Sequence, residues 1–348
     1  MALSDSLEVP GASRFLLEAR VPYARRAVDE FLGSRPEDYA SPRAACSLAM
    51  AAFQRAMQLS ADAEGIVAEE TARRLLGVGC AASLVSDRPK RGPHRVHAAV
   101  QTAEQTLLVS LVLNQGARNR PEEEAVAACL VLSAIAEVLG IASSAPLLLR
   151  ENEMLERTVA AATADERDLL LGAVDAICLE STDAEEPEPP EEAPPVGLLF
   201  PGSFHPLHEG HRRMAEFAAA RFGGTVEFEI SIENVEKPPL DFLEMHARAE
   251  QFAHAPLWLT RAPTFREKAR IFPGAVFLVG LDTLERIAEP RFYESPEDRD
   301  AAIAELARLG CRFLVFGRRV GEAFQTLAEC PLPPALAELC DAVSEAEF

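Results

Sequence analysis

The sequence predicts an α/β protein in two parts: a parallel, doubly wound sheet in the C-terminal half, and a separate α/β layered domain ahead of it. Three observations carry this expectation. From residue 196 onward, apolar runs of strand length alternate with helix-patterned stretches. The N-terminal half mixes both patterns without an internal repeat. Between the halves lies an acidic, proline-rich segment.

That segment, "STDAEEPEPPEEAPP" at 181–195, has six acids, five prolines and no base or large apolar residue. Proline removes backbone donors and like charges repel, so it is expected to be an extended, solvated linker. The expected domains are therefore 1–180 and 196–348. In the first, helical periodicity at 66–77 precedes the small-residue run "VGCAASLVS". Two strand candidates follow, "HRVHAAVQT", with Val96, Ala98 and Val100 on one face, and "QTLLVSLVLNQG". Residues 121–140 open on proline and glutamates and close on glycine, the start and stop signals of a helix. A long helix is expected near 152–180.

In the second half the expected strands are "VGLLF", "TVEFEISI", "LWLT", "AVFLVG" and "RFLVFG". They alternate with helices at 207–221, 239–253, 264–271, 282–288 and 296–309. Sheets of this kind bind ligands beyond the carboxyl ends of their strands, where the strand order reverses.

Composition narrows the function classes. The 348 residues are 48% hydrophobic and 26% charged, with a formal net charge of −21. An acidic surface is a poor partner for nucleic acid, whose phosphates are held by clustered Lys and Arg. No run approaches the roughly 20 apolar residues of a membrane span. The first residues have no basic head before an apolar block, so a cytoplasmic protein is expected. Seven cysteines without a C-x-x-C pair argue against a disulfide framework.

The chemistry concentrates in "LLFPGSFHPLHEGHRRMAEFA", 198–218. An apolar strand stops at Phe200. Gly202 and Ser203 let the backbone turn tightly, and Pro206 stiffens the entry to a helix. His208 and His211, three apart, share a face of its first turn, where free N–H groups and the positive end of the dipole suit phosphate. Gly210 between them leaves room for the phosphate chain. Two histidines without a third ligand of fitting spacing do not make a zinc site, so no resident metal is expected.

This stretch resembles the G-x-F-x-P-x-H-x-G-H signature of the nucleotidylyltransferase superfamily. "FLVGLDTLERI" (277–287) resembles the G-x-D segment of nicotinamide/nicotinate-mononucleotide adenylyltransferases, and "EKPPLDFLEMHAR" (236–248) their K-x-x-L…R segment. The resemblance implies a Rossmann-like domain that joins a nucleoside triphosphate, with Mg²⁺, to a phosphorylated small molecule and releases pyrophosphate. It implies His208 and His211 as catalytic residues, with Gly202, Ser203, Phe204, Gly210, Lys237, Arg248, Gly280, Asp282, Thr283 and Arg318 binding nucleotide or phosphate. On the residues alone, Lys237 and Arg248 are either phosphate anchors or solvated cations. Asp282 either accepts from a ribose hydroxyl or caps the following helix. Trp258 and Phe265 either stack on a ring or fill the core. The superfamily's late I-S-S-T-x-I-R-like segment has no counterpart, leaving Arg318 and Arg319 to supply positive charge.

The segments 10–33, 41–56 and 75–102 are similar to the carboxy-terminal domain of CinA proteins, the nicotinamide-mononucleotide amidohydrolase family. The family's E-S-x-T-G-G-like stretch is absent, and Ala81 stands where its T-G-x-A-G-P loop places threonine. Amide hydrolysis is therefore not expected, while ligand binding is left open. The leading expectation is adenylyl transfer from MgATP to nicotinamide or nicotinate mononucleotide. The alternatives are transfer from ATP or CTP to another phosphorylated acceptor such as phosphopantetheine, or a non-catalytic nucleotide-binding scaffold. The expected partners are these small nucleotides, and a homo-oligomer is compatible with the sequence.

Overall fold

The computed structural model describes residues 2–87, 92–142, 149–179, 197–235, 237–320 and 323–344. Contacts divide the chain into two compact units, Met1–Leu171 with Glu236–His246, and Gly172–Val235 with Ala247–Phe348. Among the described residues no helix is long and apolar enough to cross a membrane.

The first unit begins with α1 (Ala2–Leu7), α2 (Arg25–Leu32), α3 (Pro42–Ser60) and α4 (Glu69–Ala72). Next come β1 (Gly77–Ser83), β2 (His94–Gln101), β3 (Gln105–Leu113), α5 (Arg120–Val138), β4 (Leu155–Ala161) and α6 (Ala164–Leu171). The strands form one antiparallel sheet in sequence order. Alternation along β2 divides its side chains between two helices. Val96, Ala98 and Val100 pack with Val126, Leu130 and Ala134 of α5, as their shared face predicts. Ala99 faces the other way, to Ala44, Ala45 and Ala49 of α3.

Glycine and alanine set the distance between α3 and β1. A Cβ on Gly77 would lie 2.1 Å from the Ala49 carbonyl oxygen, and one on Gly79 would lie 2.1 Å from that of Ala45. Those atoms are backbone and cannot swing aside. The run "VGCAASLVS" is thus small because a helix lies directly on it.

Two helices expected here are replaced. The 66–77 periodicity yields only the short α4. The long helix near 152–180 is instead β4, α6 and a further strand, β5 (Ala176–Leu179). Its residues favour helix, but β4 completes the sheet against β3, and Gly172 interrupts the chain at φ +78°. Sheet pairing outweighs propensity, which is worth only tenths of a kcal/mol per residue.

The second unit continues from β5 with β6 (Leu198–Pro201), α7 (Glu209–Phe222), β7 (Val226–Ser231), α8 (Phe242–Ala249), β8 (Leu257–Thr260) and α9 (Phe265–Ile271). It ends with β9 (Val276–Gly280), α10 (Leu281–Ala288), α11 (Pro296–Arg308), β10 (Arg312–Phe316), β11 (Arg318–Val320), β12 (Ala323–Gln325), α12 (Pro334–Ala337) and β13 (Cys340–Val343). The first part of α8 groups with the first unit. The sheet order is β13-β10-β9-β6-β7-β8-β5, parallel except for β5. Counting from β6, the parallel strands run 3-2-1-4-5-6, the order of a Rossmann-like sheet. The expected doubly wound sheet is present.

The boundary between the units differs from the expected one. β5 pairs with β8, so residues 172–179 belong to the second unit, whereas 236–246 group with the first. The linker at 181–195 lies outside the described residues. On one face of the second sheet, Leu199, Phe277, Val279, Phe313 and Val315 meet Ala269, Leu284, Ile303 and Leu306 from the helices. Phe265 and Trp258, both partly buried, pack against this cluster. Phe265 lies 5.3 Å from Phe277, and the Trp258 indole N–H donates to Glu227.

Gly79→Ala should cost about 3 kcal/mol, the upper end for overpacking, because α3 must move as a whole. Urea unfolding followed by circular dichroism reads this as a lower midpoint at unchanged slope.

Candidate active site

Strand order brings two of the three predicted segments together, those at 198–218 and 277–287. β6 and β9 are neighbours, and the chain leaves them in opposite directions across the sheet, β6 toward β7 and β9 toward β10. Beyond their carboxyl ends lie the loop 202–208 and Gly280. Arg318 follows β10, the next strand over.

The loop is held from several sides. The Gly202 N–H donates to the Glu229 carbonyl at 2.9 Å. Arg248 Nη1 donates to the Ser203 carbonyl at 3.0 Å. Gln251 Nε2 donates to the Phe204 carbonyl at 3.0 Å, and its Oε1 accepts the Leu207 N–H at 2.7 Å. Glu229 is itself fixed, for Lys268 Nζ lies 2.7 Å from both of its carboxylate oxygens. Neither Gln251 nor Glu229 is marked by sequence pattern. Each acts through a contact with distant backbone, which spacing along the chain does not reveal.

Phe204 organises the turn. Its ring is 2% exposed and lies 5.4, 5.1, 5.5 and 5.2 Å from the rings of Phe200, His211, Phe228 and Phe252. Its backbone has φ 40°, which is costly for a bulky residue and persists only where surroundings fix it. A Cβ on Gly202 would come within 2.7 Å of this ring. Gly202 is thus glycine because Phe204 folds back over it, and the Phe204 side chain is core.

His208 caps the N-terminus of the fourteen-residue α7. The His208 and His211 rings stack at 3.7 Å between centroids, and His211 Nδ1 accepts the His208 N–H at 3.3 Å. Burial, and secondarily the neighbouring His208, pushes the His211 pKa down from 6.5 to about 4. At neutral pH His211 is therefore uncharged. Because Nδ1 accepts, the ring proton sits on Nε2, and the residue is a neutral donor. A Cβ on Gly210 would lie 3.1 Å from the His208 ring, so His208 packs close to this position on one side.

Gly280 is different. Its backbone is extended at φ −83°, and a Cβ there would meet nothing within 4 Å. Neither conformation nor packing within the protein demands glycine at this strand end. Asp282, exposed in the first turn of α10, forms an ion pair with Arg318, and half-buried Thr283 follows it. Two predicted binding residues are thus each other's partners. Ser203 is exposed.

The two candidate cations differ. Arg248 is buried, 6% exposed, and supports the loop through the Ser203 carbonyl. Lys237 is exposed but groups with the first unit. The Arg319 side chain lies outside the described residues.

Residues 199–324 match the family model described as Cytidylyltransferase-like. The second unit carries a nucleotidyltransferase-like domain. The matched segment runs from β6 into β12 and so includes the H-x-G-H loop, Gly280, Asp282 and Arg318. It covers less than half of the chain, and the first unit lies almost wholly outside it. No curated protein matches the chain. Among the described residues no group of three or more His, Cys, Asp or Glu is placed to hold a metal ion. Magnesium enters such chemistry as part of the triphosphate substrate, since it keeps several waters and is bound largely through phosphates.

The lowered His211 pKa has a consequence for stability. The unfolded chain takes up this proton near pH 6.5 and the folded one only near pH 4. Between these values the unfolded state binds more protons, so the contribution is whole above pH 6.5 and is lost as pH falls toward 4. NMR titration should place the His211 midpoint about two units below that of an ordinary histidine.

Proposed function

We propose that the second unit transfers an adenylyl group from MgATP to nicotinamide or nicotinate mononucleotide and releases pyrophosphate. The observation that carries the transfer reading is the meeting of the H-x-G-H loop and an unobstructed Gly280 at the switch point of the sheet. The choice of acceptor rests on the resemblance of "FLVGLDTLERI" and "EKPPLDFLEMHAR" to mononucleotide adenylyltransferases.

In this reading an oxygen of the acceptor phosphate forms a bond to the α-phosphorus of ATP. The bond from that phosphorus to the pyrophosphate oxygen breaks. Such a step needs alignment and charge stabilisation more than covalent help. The His211 N–H donates to the His208 carbonyl at 2.9 Å, so the first-turn amides of Glu209 and Gly210, with the His211 Nε2–H, are the donors this reading assigns to phosphate oxygens. Nucleotide approaches the Gly280 backbone closely, and Asp282 accepts from ribose once Arg318 turns to phosphate. Ser203 and Thr283 add hydroxyls. Arg248 acts as a loop support.

The first unit is proposed to be a CinA carboxy-terminal-like domain that binds mononucleotide without hydrolysing it, since Ala81 of β1 supplies no hydroxyl. The breadth of a cytidylyltransferase-like match favours one second reading, transfer from CTP or ATP to another phosphorylated acceptor.

His211→Ala should keep the fold and lower the transfer rate by a factor on the order of 10²–10³, as removal of one charge-stabilising donor does. Pyrophosphate release with NMN, nicotinate mononucleotide and phosphopantetheine, each with ATP or CTP, identifies the pair. Turnover with phosphopantetheine alone would move the protein to the second reading, and an undiminished His211→Ala rate would remove the proposed site.

Gly280→Ala separates binding from folding. It should leave the melting temperature within a few degrees, because the added methyl meets no protein atom, and it should weaken ATP binding at least tenfold. Calorimetric titration with MgATP checks this, and unchanged affinity would show that no ligand approaches Gly280.

A further inference from the structure

We infer that Gln251 is a positioning residue for nucleotidyl transfer, holding the H-x-G-H loop closed through both ends of its carboxamide. The inference rests on the transfer reading given above. It assigns the loop's geometry to a side chain outside the loop and outside the motifs.

A carboxamide offers an acceptor and a two-proton donor without charge. Gln251 uses both. Its Oε1 takes the Leu207 N–H at 2.7 Å, and its Nε2 gives to the Phe204 carbonyl at 3.0 Å and to the Arg248 carbonyl at 3.3 Å. The assignment of oxygen and nitrogen is forced, because an N–H cannot accept and a carbonyl cannot donate.

These contacts bracket residues 204–207, the turn that contains Phe204 at φ 40° and the cis His205–Pro206 bond. Leu207 directly precedes His208, so its N–H sets the direction in which the chain enters α7. One residue further on, Phe252 is 5% exposed and packs 5.2 Å from Phe204 and 4.9 Å from Phe228. The short 3₁₀ turn Glu250–Phe252 therefore grips Phe204 by ring and by carbonyl. Phe204 in turn lies edge-on to His211. Without the carboxamide the Leu207 N–H and Phe204 carbonyl must find water, and the wall against which His211 is desolvated loosens.

Gln251→Met keeps length and apolar volume and removes both hydrogen-bonding ends. Gln251→Glu keeps the acceptor for Leu207 and removes the donor to Phe204. In the full-length protein we expect Gln251→Met to lower kcat for ATP plus the accepted mononucleotide on the order of 10²-fold, the cost of a roughly 1 Å misplacement. KM for ATP should change less. The His211 midpoint, read by NMR without substrate, should rise from about 4 toward 6.5, and Gln251→Glu should fall between Met and wild type on both scales. A solely structural role would lower the melting temperature while leaving the His211 midpoint of the folded protein in place, and that result overturns the inference. If Gln251→Met does not fold, Gln251→Glu decides by the same two readouts. If wild type transfers to no acceptor, the transfer reading fails by itself, and a His211 midpoint unmoved by either variant overturns the positioning claim separately.

Discussion

The burial of Phe204 is the constraint on which the site depends. A phenylalanine at positive φ is unfavourable in isolation, and strain of this kind, about 1–3 kcal/mol, persists only where surroundings over-determine the backbone. Here the aromatic cluster supplies the compensation. Burial of a side chain this size stabilises by about 2–3 kcal/mol, comparable with the strain. With the ring seated, Gly202 must be glycine, the Phe204 carbonyl faces Gln251, and His211 is partly removed from water. His211 owes its proton state to burial against an apolar neighbour as much as to its place on a helix.

Sheet topology supplies the second requirement. The loop after β6 and Gly280 at the end of β9 are some 75 residues apart in sequence, roughly the span of three strand–helix repeats. They become neighbours because β9 pairs with β6 on the side away from β7. Any other insertion point for β9 would separate the histidines from Gly280. The core that holds this order is continuous from Leu199 to Phe277, Phe313 and Leu336, so the strand order and the site are stabilised by the same packing.

Much of this was legible in the sequence, and the reasons differ from element to element. The five parallel strands from "VGLLF" to "RFLVFG" and the helices between them stand close to their expected ranges, because buried parallel strands read as continuous apolar runs. β4 and β5 were hidden, since helix-favouring residues were recruited to sheet edges by partners far away in sequence. Within the site, the histidine pair and Gly280 could be found by motif. The motif does not show that Phe204 is packed in the core or that Arg248 holds a loop carbonyl, because both contacts are made with segments distant in sequence. Gln251 and Glu229 are silent, because a side chain or a carbonyl that supports another segment's backbone leaves no periodic trace.

In the proposed reading a chain of net charge −21 binds a polyanion and must limit the repulsion its own field creates. The site does so with neutral donors. His211 is uncharged at physiological pH, the amides of α7 carry only partial charge, and the buried cations nearby are committed, Lys268 to Glu229 and Arg248 to a loop carbonyl. Arg318 is held by Asp282. Fixed dipoles at short range act where water is excluded, while the field of distant carboxylates is screened over about 8 Å at physiological salt. A magnesium-bearing triphosphate brings its own neutralising charge and needs orientation more than attraction. In that reading local geometry dominates over the acidic surface, and the loop's anchoring matters more than the number of its cations.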